Sequence, residues 1–340
     1  MPLTQLNFQP GLDTENTPTG AEGRWVDGDK IRFRKGLPQK IGGWTKFSAD
    51  YYVGVGRALE QWYSLDGSRY EAIGTDRKIY VYQSGDNQDI TPIRSTDALV
   101  NAITTTNTSN VVTISDTSHG ALLGDFVTLS SVSTDVGGIS AATLDGEYEI
   151  LSISNVNAYT IQSSATATSS VGPTANCTAT YQLNIGPSTQ TFGYGWGAST
   201  WGASTWGTPR STSSVILDAR LWSINNWGED LVITQKDGGT YEWDLSGGMS
   251  TNRATAIANA PTTSTLSIVS TETRHVICMG TETTIGDSTT FDKMFIRWSD
   301  QENYNFWTPN VTNSAGSQRI AGGSEIRCAR PAKGTILVWT

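Results

Sequence analysis

The chain has 340 residues, a formal net charge of −9, 35 glycines, 12 tryptophans and three cysteines. That length suits two domains, or one large β domain carrying an insertion. No stretch approaches the roughly 20 apolar residues that a membrane-spanning helix needs, and the widely spaced Cys177, Cys278 and Cys328 imply no disulfide framework.

The opening Met1–Gln5 lacks the basic and apolar regions of a signal peptide. Isolated cysteines usually serve as small apolar residues, so the chain reads as a product that folds in a reducing cytoplasm. Ser, Thr, Gly and aromatic residues are abundant, and no long apolar run has helical spacing, which predicts an all-β fold.

Residues 1–50 read as an N-terminal arm and first strands. Between Arg24 and Lys46 stand seven basic residues (Arg24, Lys30, Arg32, Arg34, Lys35, Lys40 and Lys46) against Asp27 and Asp29, a local charge of +5. Asp27-Gly28-Asp29 is a turn signal. In an extended segment Trp25, Ile31 and Phe33 share one face, and Lys30, Arg32 and Arg34 the other. The apolar side can dock on a sheet. The basic side can pair with an acidic neighbour or meet a phosphate backbone. An ordinary amphipathic first strand with a solvated face has the same pattern.

Residues 51–95 hold a unit that recurs later: Gly56–Tyr63, the Asp66-Gly67 turn, Glu71–Thr75 and Lys78–Tyr82. A second copy is Arg220–Asn225, Leu231–Thr234, Asp237-Gly238-Gly239 and Thr240–Asp244. Two further copies are His275–Gly280 with Met294–Ser299, and Ile326–Cys328 with Thr335–Trp339. Each couples an apolar strand, a turn and an aromatic-rich strand. The spacing predicts a β-propeller-like body with blades of about 40 residues; a β-sandwich would give similar local patterns. The closing Gly334–Thr340 reads as the middle of a strand pattern, so a ring of blades is expected to need strands beyond those visible here.

Residues 96–183 interrupt the repeat. From Ser95 to Pro209 there is no Lys or Arg, while Asp97, Asp116, Asp125, Asp135, Asp145, Glu147 and Glu149 give a charge of −7. Short strands are predicted at Val111–Ile114, Phe126–Leu129, Tyr148–Ile153 and Ala158–Ile161, with a loop or strand edge at Ser163–Ser170. Imperfect alternation over Tyr148–Ile153 predicts a strand covered on both faces. Together these predict an inserted small β-barrel or β-sandwich with an acidic surface. The body resumes over 184–340.

Three tryptophans recur every five residues at Trp196, Trp201 and Trp206, each flanked by glycine. Five matches neither the helical nor the strand period, so the segment reads as tight turns presenting indole rings. The rings serve either a subunit interface or a loop that seals one domain's own core.

Catalytic chemistry finds little support. His119 and His275 lie far apart, without metal-ligand spacing to another His or Cys. Asp66-Gly67 and Asp237-Gly238 are turn chemistry. Glu147 and Glu149 share a strand face, but among seven uncompensated acids they read as a solvated or cation-facing surface. A propeller glycosidase would need two carboxylates converging from different blades. No cofactor-binding or metal-binding motif is recognised.

Residues 16–44, from Asn16-Thr17-Pro18-Thr19-Gly20 through Arg24-Trp25-Val26-Asp27-Gly28-Asp29-Lys30-Ile31-Arg32-Phe33-Arg34-Lys35-Gly36 to Ile41-Gly42-Gly43-Trp44, resemble the opening of structural proteins from tailed bacteriophages. The family in question is the tail nozzle or packaged-DNA stabilisation proteins. The Gly-Trp-Gly repeat from Gly195 and the Gly334–Trp339 strand are similar to stretches of such proteins, and together the resemblance touches about a third of the chain. It implies a non-enzymatic, propeller-based subunit of the virion tail. Such subunits form a homo-oligomeric ring, usually sixfold, around the DNA channel below the portal, contacting portal or adaptor and other tail proteins while double-stranded DNA passes. The insert resembles small β modules that decorate several phage tail proteins. The interface residues expected on this reading are Trp25, Ile31, Arg32, Phe33, Arg34, Trp44, Trp196, Trp201 and Trp206. The alternative is a carbohydrate- or receptor-binding tail module that uses exposed Trp rings for stacking.

Overall fold

The computed structural model describes residues 8–43, 45–46, 50–184, 186, 219–249 and 252–340. It is all-β, and the chain divides into two compact units, Met1–Ala49 and Asp50–Thr340.

In the first unit, β1 (Gln9–Leu12) and β2 (Arg24–Trp25) form a short parallel pair, and β3 (Ile31–Arg34) and β4 (Leu37–Lys40) form a hairpin. Lys35 and Gly36, with φ of 52° and 81°, make its two-residue turn. Two successive positive φ angles give the twist that suits a hairpin, and Gly takes the second without steric cost.

The second unit is built on antiparallel meanders. The first is β5 (Gly56–Tyr63), β6 (Arg69–Thr75), β7 (Ile79–Gln83) and β8 (Asp86–Asp89), hydrogen-bonded in sequence order. An insertion of eight strands and one helical turn then intervenes: β9 (Ile93–Leu99), β10 (Ile103–Thr105), β11 (Val111–Ser115), β12 (Phe126–Ser130), α1 (Ala141–Leu144), β13 (Gly146–Asn155), β14 (Ala158–Gln162), β15 (Val171–Thr174) and β16 (Cys177–Gln182). Two more four-stranded meanders follow: β17 (Trp222–Trp227), β18 (Asp230–Gln235), β19 (Thr240–Trp243) and β20 (Thr255–Ala256), then β21 (Ser264–Val269), β22 (Val276–Glu282), β23 (Phe291–Trp298) and β24 (Gly316–Arg319). The hairpin β25 (Cys328–Ala332) and β26 (Thr335–Trp339) is the last element.

The first strands of these four sheets, β5, β17, β21 and β25, line one cavity of about 560 Å³. That arrangement is propeller-like: each blade sets its first strand on the axis and its later strands outward. The repeat predicted from sequence therefore corresponds to blades, with one shift of register. His275–Gly280 and Met294–Ser299 are the second and third strands of their blade, and β21 is the inner strand that pairs with β22.

Tryptophans hold adjacent blades together. Trp62 and Trp243 meet edge to face at 6.3 Å, and the Trp62 indole N–H donates to the Glu229 carbonyl at 2.9 Å. Trp222 donates to the Thr75 carbonyl at 2.7 Å and lies so close to Gly74 that a β-carbon there would sit 2.6 Å from its ring. The burial of Trp243 against Leu231, Ile233 and Ala72 makes one apolar core shared by the first two blades.

The insert is one curled eight-stranded sheet in the order β15-β10-β11-β14-β13-β12-β16-β9. Among the described residues its end strands β15 and β9 do not pair, so it is an open half-barrel. Ile103, Ile114, Leu129, Ile150, Tyr159 and Ile161 fill its concave side, and Ser140 caps α1 by accepting the Thr143 N–H. Ser163–Ser170 is the loop before β15. The predicted double cover of β13 does not hold. Ile150 is buried, but every residue from Leu151 to Asn155 is exposed, because β12 pairs only with Gly146–Glu149 and two register shifts interrupt the ladder to β14.

β9 and β16 pair side by side, and the Leu183 N–H donates to the Pro92 carbonyl at 2.8 Å. The insert thus leaves and rejoins the body at one place, which lets a module sit inside a blade series without disturbing it. A fragment of residues 92–183 is expected to show β-type circular dichroism and one cooperative thermal transition. A spectrum of disordered chain would show that the blades are needed to fold it.

Candidate functional site

Three groups of residues are candidates: the N-terminal hairpin, the junction of insert and blades, and a polar cluster inside the insert.

In the hairpin the pattern read from sequence appears directly. Ile31 and Phe33 are half-buried, and Arg32 and Arg34 alternate with them and are exposed. β4 places Lys40 opposite Ile31 and Gln39 opposite Arg32, whose Nε donates to the Gln39 side chain at 3.2 Å. Gly28 leaves no room for a side chain beside Ile31, and the Asp27 carboxylate accepts the Gly28 N–H at 2.7 Å. Trp25 packs edge-on against Phe8 at 5.3 Å, and its indole nitrogen is buried without a partner. Arg24 pairs with Asp13 at 3.5 Å. Hydrogen bonds from Asn16 lead in holding the Asp13 carboxyl below its ordinary range. Among the described residues, Arg32, Arg34, Lys35 and Lys40 have no ion pair. The other expected interface residues, Trp44, Trp196, Trp201 and Trp206, lie outside the described residues.

The junction was not foreseen. Lys78, just before β7, is 2 % exposed and salt-bridges both Asp89, at 2.9 Å, and Glu147 of the insert. Arg253 approaches the same two carboxylates at 3.3 and 3.9 Å, and Gln182 donates to Glu147 at 2.5 Å. The Lys78 ammonium also lies 4.3 Å from the Phe126 ring centroid. Burial opposes ionisation of Asp89. Lys78 and Arg253, with the hydrogen bonds to its carboxylate, outweigh that and hold its carboxyl below the ordinary range. Arg77 bonds Glu149 at 2.9 Å and the Gly124 carbonyl at 3.0 Å.

These contacts correct the expectation of an uncompensated acidic surface. Glu147 and Glu149 face cations, as one of the two readings had it, and those cations come from the blades. Asp116 and Asp125 are buried. The charge run in sequence hid this because Lys78 and Glu147 are 69 residues apart.

Inside the insert, Tyr181 donates to Asp116 at 2.5 Å and lies 3.1 Å from the Tyr159 hydroxyl. His119 is buried edge-on to Tyr159, with Nδ1 accepting the Ala121 N–H and Nε2 at the Asn155 carbonyl. That pattern fits the neutral ring protonated on Nε2. Arg94 spans the Tyr181 ring and donates to the His119 carbonyl at 2.8 Å. Both ring nitrogens of His119 are thus committed to backbone groups. His275 sits in the third blade between Thr273 and Ser314. Asp66 accepts from Ser64 and from the Ser68 N–H, as turn chemistry requires, and Asp237 occupies a turn at φ 55°. Among the described residues no three His, Cys, Asp or Glu side chains form a metal-binding group.

No protein-family model matches the chain, and no curated protein matches it. Among solved structures an endosialidase of phage phi92 aligns with 86% of this chain at 14% identity and a TM-score of 0.24. The chain spans 41% of that protein's length. A likeness at that level establishes neither a shared activity nor a shared site.

Burial raises the Asp125 carboxyl to about 6, against the Leu122 N–H it accepts and the nearby Arg94, Arg77 and His119. A folded-state value above the unfolded one means that the ionised side chain costs stability as pH rises through 6, and that the cost is absent below about 4. Asp125→Asn keeps an acceptor for the Leu122 N–H. It is expected to raise stability at pH 8 by up to about 3 kcal/mol, with the gain vanishing near pH 4. Thermal melts at the two pH values check this, and equal destabilisation at both would refute it.

Proposed function

We propose that this chain is a structural, non-enzymatic component of a tailed-phage tail. In this reading it is a ring-forming subunit of the nozzle or hub type that bounds the DNA channel and links to neighbouring tail proteins. The observation that carries the reading is the N-terminal unit: the segment resembling phage nozzle proteins folds as a small separate unit with its own hairpin. That hairpin displays Arg32, Arg34, Lys35 and Lys40 without an ion pair among the described residues. Unpaired cations on a small appended hairpin suit an arm that engages an acidic surface on a neighbour.

Two further features support a structural role. Glu147 and Glu149, the carboxylates that share a strand face, are each bonded to a cation of the blades. The propeller-like body is stiffened by indoles that bridge adjacent blades. In a ring the basic hairpin faces a protein neighbour, and a neutral or acidic bore lets DNA slide.

The purified chain is expected to form a closed ring by mass photometry and negative-stain imaging, alone or with its tail neighbours. Changing Arg32, Arg34, Lys35 and Lys40 together to Glu should weaken that association about tenfold at low salt while leaving the melting temperature unchanged. Association that ignores these four charges would remove the hairpin from the interface. Location of the chain away from the tail axis in a particle would overturn the role.

A further inference from the structure

The insert and the blades have separate apolar cores. The buried cluster of the insert contains only residues between Leu99 and Tyr181, and the core of the first two blades runs from Trp62 to Ala254. Leu183, where the insert rejoins the body, is half-buried against the blade core. What crosses between them is polar: Lys78 and Arg253 on Glu147, Arg77 on Glu149 and the Gly124 carbonyl, and Gln182 of the insert close to Asp89 of the body. Arg253 is also anchored to the Thr91 carbonyl at 2.9 Å, beside the point where the insert begins. Tyr80, two residues after Lys78, is near enough to feel Asp89, Glu147 and Arg253.

We propose that the insert is a latched module: an ion-pair clamp centred on Lys78 and Glu147 fixes its orientation, and breaking the clamp frees it as a folded body. The physical reason lies in the kind of interface. An apolar contact loses stability gradually with area. A buried cation between two carboxylates holds only while its partners are present, because an uncompensated buried charge is strongly unfavourable. Removing the insert's carboxylate leaves the Lys78 ammonium facing Phe126 and Asp89, and water then competes for the site. The insert keeps its own core throughout, since none of its buried apolar residues comes from the blades. Its two connections run side by side, so they permit rotation about one base.

The test uses the full chain with spin labels at Leu65→Cys in the first blade and Thr166→Cys in the insert, both at exposed positions, with Cys328→Ser. Double electron–electron resonance should give one narrow distance distribution for the otherwise unaltered chain. Glu147→Arg places a third cation against Lys78 and Arg253, and Glu147→Gln with Glu149→Gln removes both insert carboxylates without adding charge. Each should broaden the distribution about twofold while amide exchange in the insert stays protected. Should Glu147→Arg fail to fold, the double Gln variant is decisive alone. A distribution that stays narrow in a folded variant overturns the latch. So does a broad distribution in the unaltered clamp, or loss of amide protection in the insert, which would make the clamp part of its folding.

Discussion

The buried ammonium of Lys78 is the constraint on which the architecture depends. It stands where the first blade, the insert and the segment leading into β20 converge, and each of these supplies a charged group to it or to its partners. Burying a lone ammonium costs several kcal/mol, so the charge is tolerated only with carboxylates held in place around it. Asp89 is fixed by the short strand β8 and by the Thr91 N–H that it accepts at 2.9 Å. Glu147 is fixed by the pairing of β13 with β12. The clamp therefore reports whether both sheets have formed, and it ties the insert's orientation to correct folding of the blade beneath it.

The blades answer a different demand. Adjacent sheets must pack face to face while keeping their inner strands close to one axis, and that leaves polar groups between them. Between the second and third blades hydroxyls meet: the Thr234 hydroxyl lies 2.8 Å from that of Ser267, while Thr240 stands 3.0 Å from Thr234 within the second blade and Ser264 donates to Thr281 at 3.0 Å within the third. Between the first and second it is filled by indoles whose N–H groups reach carbonyls. Both solutions satisfy the buried polar atoms while excluding water, which is what allows Ser and Thr to be so common in the interior.

Much of this was legible in the chain. Period-two alternation with Asp-Gly turns located the long strands, and the loss of Lys and Arg after Ser95 marked the insert's composition. The short outer strands were not legible. Asp86–Asp89, Thr255–Ala256 and Gly316–Arg319 are polar or very short, and they become strands because a neighbouring edge offers hydrogen bonds. β21 is not legible because its Ser-Thr-Leu-Ser-Ile-Val sequence carries half its positions as hydroxyls, of which Ser264 and Ser267 are buried and Ser267 meets Thr234 of the blade beside it. The amphipathic arm is legible as alternation, and its reversal at Lys35-Gly36 is signalled only by a Gly after a basic residue between two alternating runs. The junction could not be read at all. Its charges are distant in sequence, and local counting turns an internally paired carboxylate into an apparent surface acid.

That last point changes how the charge of the molecule should be understood. Lys78, Arg77 and Arg253 are consumed at the junction, and Lys293, Arg319 and Arg327 pair with Glu325 or Asp292 in the third blade and just beyond it. Exposed pairs of the latter kind contribute about 0–1 kcal/mol each, but they cancel the local field all the same. The hairpin cations have no such cancellation. A net charge of −9 therefore conceals local structure: Arg77, Lys78, Arg253, Lys293, Arg319 and Arg327 are neutralised in place in the body, and an uncompensated positive strip sits on a small hairpin. Such a strip acts over about one Debye length, roughly 8–10 Å in physiological salt. In the role proposed above, that range is enough to steer an acidic neighbour on approach. Strict alternation along β3 is what keeps Arg32 and Arg34 in solvent while Ile31 and Phe33 are half-buried, since a shift of one residue would exchange the two faces.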